Sequence, residues 1–345
     1  MTHPARSTCP ASFSSLMRAL PLAALLAACG GGESGGGGSL PAGPAPSPPD
    51  PEITRPITDM PTSSYTGDKL AAFGRLNEAR LAAGVGAVRQ DAELDAAAQA
   101  HATYQVRNYM VGHGEDPSRP WFTGVDHVSR AAAQGYSGIV VGEVITPILP
   151  GIEAIESFLH SVYHLYGLLE PRANQMGLGI DQTTRPGPLN STSITLGTTD
   201  PLLLPLATVW HWPVDKQTSV EPRFVPSSEL PNPAPDLAVA GTPIMFCGSK
   251  GNYAPLGITR ATLKDTHTVR QMPIRLLRPA GVSVDATVDA QIITDANLGT
   301  MHQGCVFLLP SVELEHGKTY EANVQAVQAG EPVGQVWTFS TRNPH

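Results

Sequence analysis

Three short segments carry the fold assignment: Val111-Gly112-His113-Gly114, Val141-Gly142-Glu143-Val144-Ile145 and Ser161-Val162-Tyr163-His164. Between the first two, a helical pattern ends at Gly135, the residue type best suited to the left-handed conformation at a helix C-terminus. Two imidazoles and a carboxylate are therefore predicted at turns between helices, where a rigid scaffold commonly presents binding groups. We expect His113, Glu143 and His164 to line one cleft.

Around these segments, apolar residues recur at helical spacing. The pattern predicts helices from about residue 65, from Asp91 to Met110, from Val125 to Gln134 and from Ile152 to His160. Two short apolar runs, at residues 176–180 and 193–196, are typical of strands. A run of helices followed by a run of short strands indicates an α+β fold.

A family resemblance rests on a series of residues taken in order: Leu76-Asn77-Glu78-Ala79-Arg80, Asp91 with Leu94, Ala97 with His101-Ala102, His113, Gly135-Tyr136, Gly142-Glu143, Ser161 with His164, and Met176-Gly177-Leu178-Gly179. This series resembles the bacterial branch of the CAP superfamily, whose domains are also called SCP domains. The resemblance implies a CAP-like α-β-α sandwich at residues 65–200, with a cleft lined by histidine and glutamate. Val144 and Phe158 depart from the family pattern, which has Asn and Trp at these positions. Three further residues are candidates for the cleft: Glu153, Glu156 and His101.

The three cleft residues have the side-chain types of a divalent metal site. Two imidazoles, His113 and His164, beside the carboxylate of Glu143 could hold zinc. In the alternative, Glu143 caps a helix or accepts hydrogen bonds from buried backbone while the histidines line a cleft without a metal. We favour this second interpretation. Ser161 has no nucleophile-elbow glycines around it, so a serine hydrolase is not indicated.

The N-terminal segment has the pattern of an export signal. Arg6 and Arg18 precede the apolar run 19–28, which is too short to span a bilayer as a mature helix. Leu26-Ala27-Ala28-Cys29 resembles a bacterial lipobox, which implies lipid modification of Cys29 after removal of residues 1–28. Residues 29–64 are rich in Gly and Pro and are expected to be a disordered tether. The predicted location is the bacterial cell envelope, lipid-anchored and facing the periplasm or the exterior.

The C-terminal part has a different pattern. Residues 201–233 are expected to be a proline-rich connector without regular pairing. From Thr242 the apolar residues alternate, which predicts an all-β sandwich at residues 234–345. The end of the chain resembles the closing strands of bacterial Ig-like domains. Cys247 and Cys305 are expected to form a disulfide in an oxidising compartment, with two separate buried thiols as the alternative.

Composition limits the function classes. The net charge of −8 and the 33 prolines argue against nucleic-acid binding, which requires a basic surface. The leading hypothesis is a non-catalytic envelope protein whose cleft binds a lipid, another small molecule or a divalent metal. The alternatives are a metal-assisted hydrolase acting on protein or cell wall, and a structural or adhesion module.

Overall fold

The computed structural model describes residues 56–183, 190–200, 204–300 and 303–344. The predicted signal peptide, Cys29 and most of the predicted tether lie outside the described residues. Within the described ranges, no helix is both long enough and apolar enough to cross a membrane.

The described residues before position 201 form a layer of β-strands between helices. The helices are α1 Gly67–Ala83, α2 Ala92–Asn108, α3 His127–Ala133, α4 Gly151–Leu159 and α5 Tyr163–Leu168. The strands are β1 Arg89–Gln90, β2 Ile139–Thr146, β3 Gln175–Gln182 and β4 Asn190–Thr198. They pair in the order β1-β3-β4-β2, with β2 and β3 antiparallel to β4 and β1 parallel to β3.

Local sequence signals account for the helix ends. Helix α2 begins where the side chain of Asp91 accepts a hydrogen bond from the backbone N–H of Leu94. Asp126 caps α3 in the same way, in a reciprocal arrangement with Ser129. Helix α1 ends at Gly84, which adopts the left-handed conformation.

Alternation along β3 explains how helices pack on both faces of the sheet. Met176 and Leu178 are fully buried in one cluster with residues of α1 and α4. Gly177 and Gly179 face the other way, where a Cβ atom would lie 2.0 Å and 2.2 Å from backbone atoms of α2. The backbone of α2 therefore lies directly on the sheet, and the predicted α-β-α sandwich is confirmed.

The described part of the predicted tether differs from the expectation. Ile57 forms a β-bridge with Ala87, and the backbone N–H of Ser64 donates to the side chain of Gln90 over 2.7 Å. Tyr65, at the end of this segment, is buried. Residues 56–64 are therefore joined to the first half by a backbone bridge and by a hydrogen bond to a side chain, which the proline-rich composition did not reveal.

The second half consists mostly of β-strands. They are β5 Val209–Trp212, β6 Gln217–Val220, β7 Arg223–Phe224, β8 Ala240–Gly241, β9 Ile244–Gly248, β10 Leu256–Asp265, β11 Ile274–Arg278, β12 Ser283–Val284, β13 Gln291–Thr294, β14 Cys305–Pro310, β15 Thr319–Gln328 and β16 Glu331–Thr341. In the described residues they form two five-stranded sheets, ordered β12-β10-β15-β16-β6 and β13-β11-β14-β9-β5, and the pair β7-β8. A continuous cluster of buried apolar residues draws on both five-stranded sheets. This arrangement is a β-sandwich, as predicted, while its assignment as Ig-like stays a prediction.

The predicted connector contributes strands to the sandwich. Strand β5 pairs with β9, and β6 pairs in parallel with β16. Trp210 and Trp212 on β5 are buried, so they pack in the core. The expectation that prolines exclude pairing at residues 201–233 does not hold, because the prolines lie between these short strands and not within them.

The sheet containing β9 and β14 is buried on both faces. Phe246 and Val306 belong to the cluster between the two sheets of the sandwich. Met245 and Phe307 point the other way, into the cluster that contains residues of α1, α4 and α5. The sandwich is therefore packed against the α-β-α half. The predicted disulfide between Cys247 and Cys305 is confirmed and joins β9 to β14.

Candidate functional site

Two cavities meet at the predicted cleft. A polar cavity of about 440 Å³ is lined by all three predicted residues, His113, Glu143 and His164. A more apolar cavity of about 540 Å³ is also lined by both histidines, and Leu230 borders the two cavities. The structure thus brings together the three residues that the sequence analysis singled out.

Glu143 lies on strand β2, in contrast to the turn that was expected. The pairing of β2 with β4 shifts register between Val140 and Gly142, a bulge that changes the direction of the following side chain. The Glu143 side chain is only 1% exposed, and both of its oxygens accept hydrogen bonds from Nη2 of Arg130, at 2.8 Å and 2.9 Å. Nδ1 of His113 lies 2.9 Å from the same carboxylate.

The surroundings keep Glu143 ionised. Burial alone would raise the pKa of Glu143, but the hydrogen bond with His113 and the charges of His101 and Arg130 lower this pKa to about 2. The carboxylate is therefore anionic at neutral pH, with its charge balanced by the guanidinium of Arg130. This pairing is a property of the tertiary structure, because Arg130 comes from α3.

A second buried carboxylate, Glu115, was not predicted. It accepts hydrogen bonds from Nδ1 of His101 over 2.9 Å and from the backbone N–H of Thr123 over 2.7 Å. Burial tends to raise the pKa of Glu115, but these two hydrogen bonds and the charge of Arg130 give a net lowering. The only feature of the sequence that could have indicated a role for Glu115 in the cleft was its position two residues after His113.

His101 lies beneath the cleft and does not line either cavity. Its two ring nitrogens face acceptors, Glu115 over 2.9 Å and the carbonyl oxygen of Gly112 over 3.1 Å. Carboxylate and carbonyl oxygens only accept, so each ring nitrogen of His101 faces an acceptor. The buried cluster therefore consists of two carboxylates, Glu115 and Glu143, together with the guanidinium of Arg130 and the imidazole of His101.

His164 is held by a residue from the second half of the chain. Nδ1 of His164 lies 2.8 Å from Oε1 of Glu229, whose side chain is 1% exposed. The same carboxylate accepts hydrogen bonds from the backbone N–H groups of Val162, Tyr163 and His164, at 2.8, 2.7 and 3.0 Å. Glu229 therefore caps the N-terminus of α5, although it lies in the predicted connector, where no sequence pattern marks it.

The other two cleft candidates lie elsewhere. Glu153 is exposed on α4, and Glu156 on the same helix pairs with Arg75 over 2.6 Å. Neither side chain lines the two cavities. They do not reach the cleft because α4 directs them away from it, towards solvent and α1.

Comparison with known proteins agrees with the fold of the first half. Residues 73–187 match the model of the cysteine-rich secretory protein family, abbreviated CAP. The chain contains a CAP domain. No cysteine lies within the matched segment, and the disulfide lies outside it. No curated protein matches the chain.

Two solved structures are similar to part of this chain. An outer surface protein from Borrelia burgdorferi is 16% identical, with a TM-score of 0.33, and the match covers 38% of this chain and 92% of that chain. An extracellular protein with an SCP domain from Bacillus anthracis is 17% identical, with a TM-score of 0.34. That match covers 38% of this chain and 40% of the Bacillus chain.

The polar groups of the CAP domain do not fit the zinc site that was the less favoured interpretation of the sequence. Arg130 hydrogen-bonds to both oxygens of Glu143 and places a positive charge where a cation would have to bind. Without Glu143, only His113 and His164 remain of the predicted set, fewer than the three or four protein ligands of zinc sites. Within the described ranges, no group of three or more His, Cys, Asp or Glu side chains is arranged to hold a metal ion.

Ser161 is occupied by helix capping. Its hydroxyl donates to the carbonyl oxygen of Phe158 over 2.8 Å and accepts from the backbone N–H of Leu165 over 3.3 Å. A hydroxyl engaged in this way is poorly placed to act as a nucleophile, which agrees with the missing nucleophile elbow.

Proposed function

We propose that the cleft of the CAP domain binds a small amphipathic molecule without catalysing a reaction, in a protein that acts outside the cytoplasm. The observation that carries this proposal is the apolar cavity of about 540 Å³, which adjoins the polar cavity at His113 and His164. Both volumes fall within the range of small-molecule sites. An amphipathic ligand would place its apolar part in the larger cavity and its polar group beside the imidazoles.

The lining of the larger cavity supports an apolar occupant. It includes Ile145, Leu149, Phe158 and Phe224, of which Phe158 and Phe224 are almost fully buried. Transfer of alkyl groups from water into such a site is favourable by about 0.8 kcal/mol for each buried methylene. Each methylene of an alkyl chain that enters this cavity therefore strengthens the binding of the ligand.

The charged groups of the cleft support binding over catalysis. Glu143 is paired with Arg130, and Glu170 is paired with Arg172 over 2.7 Å. A serine nucleophile requires a free hydroxyl beside a base, and the hydroxyl of Ser161 is held by the carbonyl oxygen of Phe158. The paired charges instead form a fixed polar surface that can orient a ligand.

A binding experiment tests this proposal. Ile148 and Leu230 line the larger cavity with 54% and 75% exposure, so replacing either by Glu should preserve the fold. Ile148→Glu and Leu230→Glu should weaken binding of the fluorescent fatty acid cis-parinaric acid by at least about tenfold, because an unpaired carboxylate opposes an alkyl chain. Val312→Glu is the matched control, since Val312 is 44% exposed and lies outside the cavity.

The outcomes are distinct. Saturable binding that is weakened in the two cavity variants and retained in the control supports the proposal. Binding that is equal in all variants places the ligand elsewhere. If no amphiphile binds, a structural or adhesion role becomes the better hypothesis.

We further propose that the protein is anchored at a membrane through lipid on Cys29. The lipobox-like residues before Cys29 and the Gly-rich segment after it support this proposal. Cys29→Ser should move the protein from the membrane fraction to the soluble fraction of fractionated cells. Retention of the variant in the membrane fraction would contradict the anchor.

A further inference from the structure

We propose that Glu229, which lies outside the segment matched to the CAP family, is a positioning residue of the cleft. It holds the His164 ring with hydrogen on Nδ1, so that Nε2 is presented to a ligand as a hydrogen-bond acceptor. The placement of the hydrogen on Nδ1 of His164 does not depend on the proposed binding function. The ligand preference that follows from it does.

The contacts of Glu229 fix the hydrogen on His164. Nδ1 of His164 lies 2.8 Å from Oε1 of Glu229, and a carboxylate can only accept in such a contact. Nδ1 must therefore carry the hydrogen, which leaves Nε2 as the acceptor of the neutral ring. Stacking on Phe158, with ring centroids 4.8 Å apart, restricts the ring further.

The arrangement repeats that of His113. Glu143 lies 2.9 Å from Nδ1 of His113, so this ring also has Nε2 as its acceptor when neutral. Both histidines line both cavities. The cleft thus has two carboxylate–imidazole pairs, one within the CAP domain and one completed by Glu229 of the second half.

The carboxylate of Glu229 is held in place by several hydrogen bonds. It accepts three backbone hydrogen bonds at the start of α5 in addition to the contact with His164. A further hydrogen bond joins α5 to the second half: the hydroxyl of Tyr163 donates to Oδ2 of Asp295 over 2.6 Å. The position of α5, and with it His164, is therefore set by carboxylates from the β-sandwich half.

Because both rings line the cavities and have Nδ1 engaged by a carboxylate, Nε2 is the acceptor that each ring can offer to the polar group of a ligand. A hydroxyl group can donate a hydrogen bond to Nε2, whereas a carboxylate at the same place opposes the lone pair of each ring. At pH 8, where ordinary imidazole is neutral, an alcohol should bind more tightly than the carboxylate of equal chain length. We expect 1-decanol to bind about tenfold more tightly than decanoate, which corresponds to about 1.4 kcal/mol.

Nitrogen NMR of the histidine rings tests the placement directly. In the full-length protein at pH 8, the His164 signal should show the Nδ1–H tautomer. In Glu229→Ala it should shift towards the Nε2–H tautomer, which is preferred in free histidine. The His113 ring is the internal control and should keep the Nδ1–H tautomer in both proteins, because Glu143 is unchanged.

The results separate the inference from the proposed function. An Nε2–H tautomer of His164 in the unaltered protein would overturn the placement, and so would an unchanged tautomer in folded Glu229→Ala. If circular dichroism shows that Glu229→Ala does not fold, the spectrum of the unaltered protein decides alone. Failure of both decanol and decanoate to bind would refute the proposed function and leave the placement standing, whereas tighter binding of decanoate would refute the hydroxyl preference.

Discussion

Replacing Arg130 by Met removes the guanidinium that balances Glu143 and keeps a side chain of similar length. Both side chains of this pair are 1% exposed, so the carboxylate cannot regain water without opening the structure. Arg130 also donates to the carbonyl oxygen of His113 over 3.0 Å. We expect Arg130→Met to destabilise the folded protein substantially at neutral pH.

The magnitude follows from the loss of one partner of a buried pair, which costs about 3–5 kcal/mol because it leaves an uncompensated charge. A domain is stabilised by about 5–15 kcal/mol in total. In urea, with a slope of about 3 kcal/mol per molar, the unfolding midpoint should fall by about 1–2 M. Circular dichroism of α-helix content would follow the transition.

The pH dependence gives an independent check. The pKa of Glu143 is lowered from 4.5 to about 2, so its stabilising contribution is complete above pH 4.5 and is lost as the pH falls through 2. Without Arg130, one of the groups that lower the pKa of Glu143 is lost, so this pKa rises and protonation removes the unpaired charge at a higher pH than in the unaltered protein. The difference in the free energy of unfolding between the two proteins should therefore be largest at pH 7 and smaller near pH 4.

Two further variants complete this test. Arg130→Met combined with Glu143→Gln should be more stable than Arg130→Met alone, because the carboxylate that Arg130 pairs with at 2.8 Å is then uncharged as well. Arg119→Met is the control, since the pair of Arg119 and Asp116 is 44% and 48% exposed and should contribute less than about 1 kcal/mol. A loss below about 1 kcal/mol in Arg130→Met, or a double variant no more stable than the single one, would refute the buried-pair argument.

Three other outcomes are expected. Reduction of the bond between Cys247 and Cys305, which closes a separation of 58 residues, should lower the free energy of unfolding by about 4 kcal/mol, measured in urea with and without reductant. Gly177→Ala should lower the free energy of unfolding by about 3 kcal/mol or more, because its Cβ would lie 2.0 Å from the α2 backbone. Gly74→Ala, in open space on α1, should raise it by about 0.5–1 kcal/mol. Equal effects of the two variants in urea unfolding would contradict this packing. Zinc should leave the thermal unfolding temperature unchanged, because the guanidinium of Arg130 is hydrogen-bonded to the Glu143 carboxylate. If zinc raises this temperature, and the rise is lost in variants of the two cleft histidines, the cleft does bind zinc.

The fold of the first half was largely predictable because its signals are local. Asp91 marks the start of α2, and apolar spacing marks the helices. The alternation in Met176-Gly177-Leu178-Gly179 marks a strand that packs differently on its two faces. The disulfide was also predictable, since Cys247 and Cys305 are the two cysteines in the strand-patterned part of the chain.

The sequence also identified three residues of the cleft, His113, Glu143 and His164. It did not identify their partners, since a buried ion pair such as Glu143 with Arg130 depends on the approach of two elements and leaves no periodic pattern. Zinc ligation, the less favoured interpretation of the sequence, depended on a free Glu143. Only the position of α3 showed that a guanidinium takes this place.

What the sequence determined by itself is the set of elements whose formation depends on neighbours along the chain: helix caps, apolar periods and strand alternation. The tertiary structure decided what depends on distant residues. The segment at 201–233 became part of the sandwich because β5 and β6 found partners in β9 and β16. Glu229 became part of the cleft because the backbone N–H groups at the start of α5 lack partners within the helix, and a buried carboxylate 65 residues beyond His164 satisfies them.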